Sequence, residues 1–154
     1  ISPHMLGVAR AKLGGEPEAS GRADLLQADM RDFHLDATDF DLAISAVKSL
    51  AYLTERDDQL RCLRSIAGHL RPGGLLAIDF MHPRPEWVAA APGSMRDDLL
   101  QRVAERGFTL SRIESVVSTD RARQVRVIRP AYEVIDDHGA VLTKRLVGGP
   151  DRWT

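Results

Sequence analysis

The run LRPGGLLAIDF, from Leu70 to Phe80, constrains the fold of this chain more than any other segment. It follows an amphipathic segment over 57–70, which itself follows a near-continuous apolar run over 40–47. A Pro-Gly-Gly turn that opens into an apolar run is typical of a helix-to-strand junction, because Pro72 stops a helix and glycine tolerates positive φ. The order strand, helix, turn, strand predicts a βαβ unit of a parallel sheet with both faces of the strands covered. Such sheets bind ligands where their strands end, so functional residues are expected there.

The flanking segments predict the rest of the architecture. A helix is expected from Ser2 to Leu13, a short strand over 23–28 that ends at Asp29, and a helix over 96–106. From Phe108 onward polar and apolar residues alternate, which indicates antiparallel strands with one solvated face. The predicted fold class is therefore α/β, with an incomplete, doubly wound, mostly parallel sheet followed by an antiparallel β-rich segment. The predicted division is a core over 1–83, a connection over 84–107 and a β-rich segment over 108–154.

Composition narrows the function classes. The net charge is −1 and no apolar stretch approaches a membrane span, so neither a nucleic acid nor a membrane is an expected partner. The basic run over 121–129 lacks interleaved aromatic residues and is expected to form one solvated face. The single cysteine, Cys62, cannot form an internal disulfide, which favours a reducing cytoplasm and a packing role. The five histidines are scattered without ligand spacing, so no metal site is expected.

Four segments taken in order resemble a known family. SPHMLGVARAKL, LLQADMRDF, FDLAISAVKSLAYL and LRPGGLLAIDF are similar to the class I, Rossmann-like methyltransferases that use S-adenosylmethionine (SAM), over roughly 1–83. The later AYEVIDDHGAV resembles the β-rich substrate lid of some small-molecule members. The resemblance implies transfer of a methyl group from SAM to a nitrogen or oxygen of a small molecule.

The resemblance also implies which residues bind the cofactor. Asp29 would accept a hydrogen bond from the adenine amino group, and Met30 would offer a backbone N–H and an apolar side chain to the ring. Ile1 would pack on the other adenine face, and Met5 would line the same pocket. A solvated strand-end Asp29, with Met30, Ile1 and Met5 in ordinary packing, is the alternative for this set.

Further implied contacts follow the second strand. Small side chains would let the sulfonium end of SAM approach the backbone there, at Ser45, Ala46 and Val47. Lys48 would repel a sulfonium and is expected to face solvent or substrate. The polar groups expected to face a substrate are Tyr52 and His82, with His82 a candidate general base. Asp79 could bind a cationic substrate or simply cap the strand end.

The sequence also departs from the family pattern. The acidic-x-G-x-G-x-G loop of the family is not found in it, so the chain is expected to be a fragment with weak SAM affinity. A nicotinamide-dependent oxidoreductase of the same sheet type remains an alternative, as does a non-catalytic domain. The open sheet edge would need further residues or a partner chain, so a homodimer is one expectation. LQRVAERGF, over 100–108, could instead mark the family's last strands, in which case the tail is a terminal hairpin set rather than a lid.

Overall fold

The computed structural model describes residues 2–16, 18, 21–82, 84–146 and 149–152, with side chains for all of these except 97–99 and 149–152. The first part of the chain contains helix α1 and then strand, helix, strand and a short helix, with bounds α1 Pro3–Gly14, β1 Phe40–Ser45, α2 Arg56–Ala67, β2 Leu70–Ile78 and α3 Pro85–Ala89. The remainder is built from strands β3 Met95–Val103, β4 Phe108–Asp120, β5 Val125–Ile135, β6 Val141–Leu146 and β7 Gly149–Arg152. By its contacts the chain divides into two compact units, one over 1–43 and 56–76 and one over 44–55 and 77–154.

Strands β1 and β2 pair with each other and are joined through α2, which is the predicted βαβ unit. The N–H of Phe40 donates to the carbonyl of His69 at 3.1 Å, where both strands begin. The N–H of Asp79 donates to the carbonyl of Ser45 at 2.9 Å, where both end. Because both strand starts and both strand ends are hydrogen-bonded neighbours, the two strands run parallel.

Helix α2 holds the segment that precedes β1. Ser65 Oγ donates to the carbonyl of Phe33 and accepts from its N–H, at 3.0 and 3.3 Å. His69 Nε2 accepts the N–H of Leu35 at 3.0 Å, while Nδ1 lies 2.7 Å from the carbonyl of Ser65. These bonds require the tautomer with a proton on Nδ1 and a lone pair on Nε2. The Phe33 ring stacks on the His69 imidazole with centroids 4.9 Å apart, which holds the aromatic side chain in place.

Several predicted elements of the first half need correction. The expected strand over 23–28 is irregular chain in the structure, and α2 ends at Ala67 rather than Leu70. Helix α2 therefore stops before Pro72, and the Pro-Gly-Gly stretch belongs to β2. Gly74 explains the glycine pair, since a Cβ there would lie 3.0 Å from the carbonyl oxygen of Phe40. The residues over 40–44 are more exposed than a strand covered on both faces, with Ile44 at 68%.

The second half is an antiparallel sheet, as the alternating sequence predicted. Its strands lie in the order β3-β4-β5-β6, and β7 pairs with β5. All four pairings are antiparallel. Gly139, with φ of 83°, lies in the turn between β5 and β6, in the sequence Asp-His-Gly. The predicted α/β class, a parallel pair followed by antiparallel strands, is confirmed.

Two predictions in this half were wrong. The segment over 96–106 is strand β3 and a 3-10 turn rather than a helix, because it pairs residue by residue with β4. Gly107, with φ of 66°, closes that hairpin. The basic run does not form one solvated face, since 121–124 is a turn and Arg126 is only 3% exposed on β5. Arg129, three residues later on the same strand, is exposed.

Cys62 packs within α2 at 3% exposure, and burial raises the pKa of its thiol. In the part of the chain that the structure describes, no helix is both long enough and apolar enough to cross a bilayer.

Candidate functional site

The segment after β1 forms a tight turn at the strand end where sequence reasoning placed the SAM sulfonium. Val47 and Lys48 both adopt left-handed backbone, with φ of 54° and 56°. A β-branched residue in this region is a steric outlier that costs free energy of order 1–3 kcal/mol, and such strain concentrates at functional sites. Ser49 braces the turn, because its N–H and its Oγ both donate to the carbonyl of Ala46, at 3.2 and 2.6 Å.

The side chains around this turn divide into anchors and exposed groups. Leu50 and Ala51 are each 4% exposed and fix the 3-10 turn that follows. Val47 is 74% exposed and Tyr52 is 60% exposed. Lys48 is half-buried, with its Nζ 3.9 Å from the Met81 sulfur. The turn is thus anchored by Leu50 and Ala51 and leaves the Val47 side chain and the Tyr52 phenol exposed.

The other predicted residues of this unit lie at the end of β2. The backbone of Asp79 is bonded to that of Ser45, so the carboxyl ends of the two strands are brought together as the parallel sheet predicted. Ser45 is half-buried and Ala46 is exposed. His82 is exposed three residues beyond Asp79, and its catalytic role stays a prediction, as does that of Tyr52.

Asp29 lies in the other unit, and an arginine two residues later binds its carboxylate. Arg31 donates from its backbone N–H and Nε to Asp29 Oδ1, at 2.9 and 3.0 Å, and from Nη2 to Oδ2 at 2.6 Å. These hydrogen bonds hold the pKa of Asp29 well below its ordinary range. The side-chain hydrogen bonds to Asp29 and Asp58 raise the pKa of Arg31. The carboxylate is therefore a fixed, ionised hydrogen-bond acceptor.

Arg31 also ties this segment to α2. Its Nη1 lies 3.1 Å from Asp58 Oδ2, and Asp58 Oδ1 lies 3.5 Å from Arg61 one turn along the helix. The segment that carries Asp29 is thus attached to the first turn of α2. Sequence reasoning missed Arg31, although an Asp followed two residues later by Arg is a pattern that a local turn can close.

For the remaining predicted cofactor residues the structure gives only the degree of burial. Met30 is half-buried beside Asp29, and Met5 on α1 is 63% exposed. Ile1 lies outside the residues that the structure describes. Within the described ranges there is no cluster of three or more His, Cys, Asp or Glu side chains arranged to hold a metal ion.

A second concave feature, which sequence reasoning did not identify, lies between α3 and one face of the antiparallel sheet. We call it the tryptophan pocket; it has a volume of about 680 Å³, and the lining residues that matter here are Arg84, Trp87, Arg96, Glu114, Arg126 and Ile128. Three guanidinium carbons approach the indole centroid, at 4.6 Å for Arg96, 5.1 Å for Arg84 and 5.8 Å for Arg126. Arginines at these distances are attracted by the negative face of the indole ring.

Glu114 forms the acidic part of this pocket. It is 7% exposed, and its two carboxylate oxygens lie 2.5 Å from Arg96 and 2.5 Å from Arg112. A buried carboxylate needs such partners, because desolvation penalises its charge. The sequence signal available for this pocket was the single tryptophan in HPRPEWVAAAPG, which has two prolines before it and one after it.

Comparison with known proteins finds similarity to methyltransferases. A family model described as a methyltransferase domain matches residues 1–74. A curated relative from Streptomyces venezuelae, dTDP-3-amino-3,4,6-trideoxy-alpha-D-glucopyranose N,N-dimethyltransferase, is 31% identical over 129 residues, covering 82% of this chain and 48% of the relative. The chain therefore spans about half the length of that relative.

Solved structures agree with this relationship. The crystal structure of Streptomyces venezuelae DesVI has a TM-score of 0.73 and 26% identity, over 98% of this chain and 56% of that one. The sugar N-methyltransferase KedS8 from Streptoalloteichus has a TM-score of 0.70 and 26% identity, over 99% of this chain and 54% of that one. These matches favour the methyltransferase over the nicotinamide alternative. The family model, the relative and the solved structures together confirm the resemblance of this chain to the class I, Rossmann-like SAM-dependent methyltransferases that the sequence indicated.

Proposed function

We propose that this chain takes part in SAM-dependent methylation of the amino nitrogen of a sugar. The observation that carries the proposal is the strained, braced turn at the end of β1, next to the end of β2, where a sheet of this type binds its ligand. The substrate class is taken from the relatives, whose names specify a 3-amino sugar linked to dTDP and a sugar N-methyltransferase. This narrows the acceptor from nitrogen or oxygen to nitrogen.

The residues present suit SAM. The ionised Asp29 carboxylate can accept hydrogen bonds from an exocyclic amine, and the half-buried Met30 can adapt to a flat ring. The exposed backbone of 45–47 carries small side chains at its first two positions, which would allow close approach of the methionine end. We assign each segment from the chemistry of its own residues. Asp29 and Met30 are assigned to the adenine ring of SAM. The sulfonium end is assigned to Ser45, Ala46 and Val47. Ile1 and Met5 stay predictions for the adenine pocket.

Bound SAM supplies a methyl group already activated by a sulfonium leaving group, so the protein contributes mainly alignment. The chain's own residues then have two tasks. The Ser45–Ser49 turn holds its backbone rigid, and a proton must leave the sugar ammonium before its nitrogen can attack. We assign that proton to His82 Nδ1 or Nε2, since imidazole is a common general base near neutral pH. The exposed Tyr52 phenol is assigned to orient the sugar by hydrogen bonding.

Nuclear magnetic resonance titration with S-adenosylhomocysteine tests the cofactor assignment, because backbone amide shifts report even weak binding. We expect saturable shifts at Asp29, Met30 and 45–47, and a dissociation constant about tenfold weaker in Asp29→Ala. Asp32→Ala is the matched control, since Asp32 is an exposed carboxylate three residues away. Shifts confined to other segments, or equal weakening by both variants, would refute the assignment.

Methyl transfer to a 3-amino sugar nucleotide tests the substrate and the base. We expect His82→Gln to lower kcat by about 10²-fold or more and to flatten the acid side of the pH–rate profile. Tyr52→Phe should raise KM more than it lowers kcat, as expected for a residue that orients substrate. An unchanged pH profile in His82→Gln would remove His82 from the mechanism.

Location and assembly are the last parts of the proposal. We propose a cytoplasmic location because the one cysteine, Cys62, is buried and forms no disulfide, which is usual for proteins of a reducing compartment. Nucleic acid is disfavoured as a partner, because Arg126 is withdrawn from the basic run into the protein. A homodimer stays a prediction, which light scattering of the chain at two concentrations would test.

A further inference from the structure

We propose that Arg31 is a positioning residue that makes the cofactor site selective for a purine with an amino group at its sixth ring position. This inference rests on the proposed function, in which Asp29 accepts a hydrogen bond from the adenine amino group of SAM. Arg31 is not assigned any contact with the cofactor and acts only through the Asp29 carboxylate. Its hydrogen bonds to that carboxylate and to α2 carry the inference.

Arg31 occupies most of the acceptor positions of Asp29. Its backbone N–H and Nε donate to Oδ1 at 2.9 and 3.0 Å, and Nη2 donates to Oδ2 at 2.6 Å. The Nε–H is shared with Oδ2, from which Nε lies 3.1 Å away, so three N–H groups serve the carboxylate. An ionised carboxylate has about four lone-pair sites, so about one is left for a ligand. With one open site, Asp29 accepts a donor from one direction only.

Arg31 is itself anchored to helix α2. Its Nη1 donates to Asp58 Oδ2 at 3.1 Å, in the first turn of the helix. The guanidinium therefore joins two carboxylates, and turning it away from Asp29 would also break the bond to α2. Arg31 and Asp29 are 39% and 50% exposed, so solvent weakens their attraction and the pair contributes geometry more than stability. The helix thus sets the direction of the open acceptor site.

Arg31 also fixes the protonation state of Asp29. Its hydrogen bonds hold the pKa of that carboxyl well below its ordinary range, so the group accepts hydrogen bonds and donates none. The amino group of adenine is a donor and suits this acceptor. Hypoxanthine has an oxygen at the same ring position, so two acceptors would face each other and a hydrogen bond would be lost. A site built to accept from an N–H group rejects a ligand that lacks it.

Magnetic resonance titration of the chain with two ligands tests the proposal. S-adenosylhomocysteine carries the amino group, and S-inosylhomocysteine carries an oxygen in its place, while the rest of the two molecules is the same. The measured quantity is the selectivity, which is the ratio of the two dissociation constants. A variant that merely loosens the fold weakens both ligands alike and leaves this ratio unchanged. We expect the unmodified chain to prefer S-adenosylhomocysteine by about tenfold or more.

Two substitutions separate the geometry of Arg31 from its charge. Arg31→Met removes both, whereas Arg31→Lys keeps the charge but lacks the planar fork that reaches both carboxylate oxygens. We expect the selectivity to fall about fivefold in Arg31→Met and by about half as much in Arg31→Lys. The matched control is Arg10→Met, which removes the same charge from an exposed position on α1 and should change the selectivity less than about twofold. Circular dichroism confirms that all variants are folded.

Asp58→Asn tests the anchoring to α2. The substitution removes the charge that holds Nη1, so the selectivity should fall about twofold, which is less than in Arg31→Met. Combined with Arg31→Met it should cause no further loss, because both residues act on Asp29 along one path. Independent, additive losses would show that Asp58 does not act through Arg31.

The outcomes distinguish this proposal from the function on which it rests. Unchanged selectivity in Arg31→Met, or full selectivity in Arg31→Lys, overturns the positioning role of Arg31 while cofactor binding stands. If the unmodified chain binds both ligands equally, the contact of Asp29 with the amino group is refuted and the proposal with it. If it binds neither ligand, the proposed function itself is refuted.

Discussion

The parallel pair and the antiparallel sheet differ in where their charged side chains lie. On β1 and β2 the charged side chains are exposed, Asp41 at 80% and Arg71 at 51%, and so are the apolar Ile44 and Leu75, each at 68%. On the antiparallel sheet the buried side chains include charged ones, with Arg126 at 3% and Glu114 at 7%. Exposed apolar side chains are common on protein surfaces, whereas buried charges are rare, so the buried charges are the informative difference.

The difference shows what each sequence pattern reports. An apolar run in the sequence indicates that a strand can be buried on both faces. The exposure of β1 shows that such a strand is not always covered by other elements. A buried ion pair indicates that both charged partners are held in one specific arrangement in the folded chain, because a buried charge without a partner is strongly unfavourable. Stability should therefore depend on the charged residues of the antiparallel sheet more than on the apolar ones of the parallel pair.

Removing the Glu114 carboxylate is the strongest test of this contrast. We expect Glu114→Leu to lower the free energy of unfolding by about 3 kcal/mol, because Arg96 and Arg112 would lose a shared buried counter-ion. Urea unfolding followed by circular dichroism measures the change. Glu133→Leu is the control, since Glu133 pairs with the exposed Lys144 on β6 at 2.7 Å and its loss should cost less than about 1 kcal/mol. Equal losses in the two variants would show that burial of the ion pair is not what matters.

A smaller change in the free energy of unfolding is expected for a buried and an exposed isoleucine, which test the same comparison of the two regions. Ile128 on β5 is 9% exposed, whereas Ile44 on β1 is 68% exposed. Deleting one methyl group should cost about 1 kcal/mol in Ile128→Val and close to zero in Ile44→Val. Thermal unfolding of the two variants side by side measures this. A comparable loss in Ile44→Val would mean that β1 is covered in solution.

The same contrast explains how far the sequence alone could reach. The βαβ order, the antiparallel texture after Phe108 and the turn at Gly139 were predictable, because each depends on local periodicity and on turn residues. The strand β3 was not, because Leu99, Leu100 and Val103 fit a helical face as well as a strand, and only pairing with β4 decides between them.

The site residues, too, could be predicted only where they depend on local sequence or on topology. The strand-end positions Ser45–Val47 and Asp79 follow from topology, and the structure does bring the two strand ends together. The partnership of Asp29 with Arg31 depends on a turn conformation, and the tryptophan pocket depends on the docking of α3 against a sheet. Residues that meet only through tertiary structure, such as Trp87 and Arg126, leave no spacing in the sequence to recognise.

The smallest expected effect concerns the charge on Asp29. Because hydrogen bonds from Arg31 lower the pKa of Asp29 in the folded chain, the pair stabilises the fold fully above the unfolded value, about 3.9, and loses that stabilisation as the pH falls through the folded value. Arg31→Met should raise the pKa of Asp29 toward its ordinary range and remove this acid dependence, whereas Arg10→Met, an exposed control, should not. Carbon-detected magnetic resonance of the Asp29 carboxyl between about pH 2 and 6 measures the shift directly. If Asp29 titrates at its ordinary value in the unmodified chain, Arg31 does not hold the carboxylate in solution, and the acceptor proposed for the adenine amino group would not be fixed before the cofactor binds.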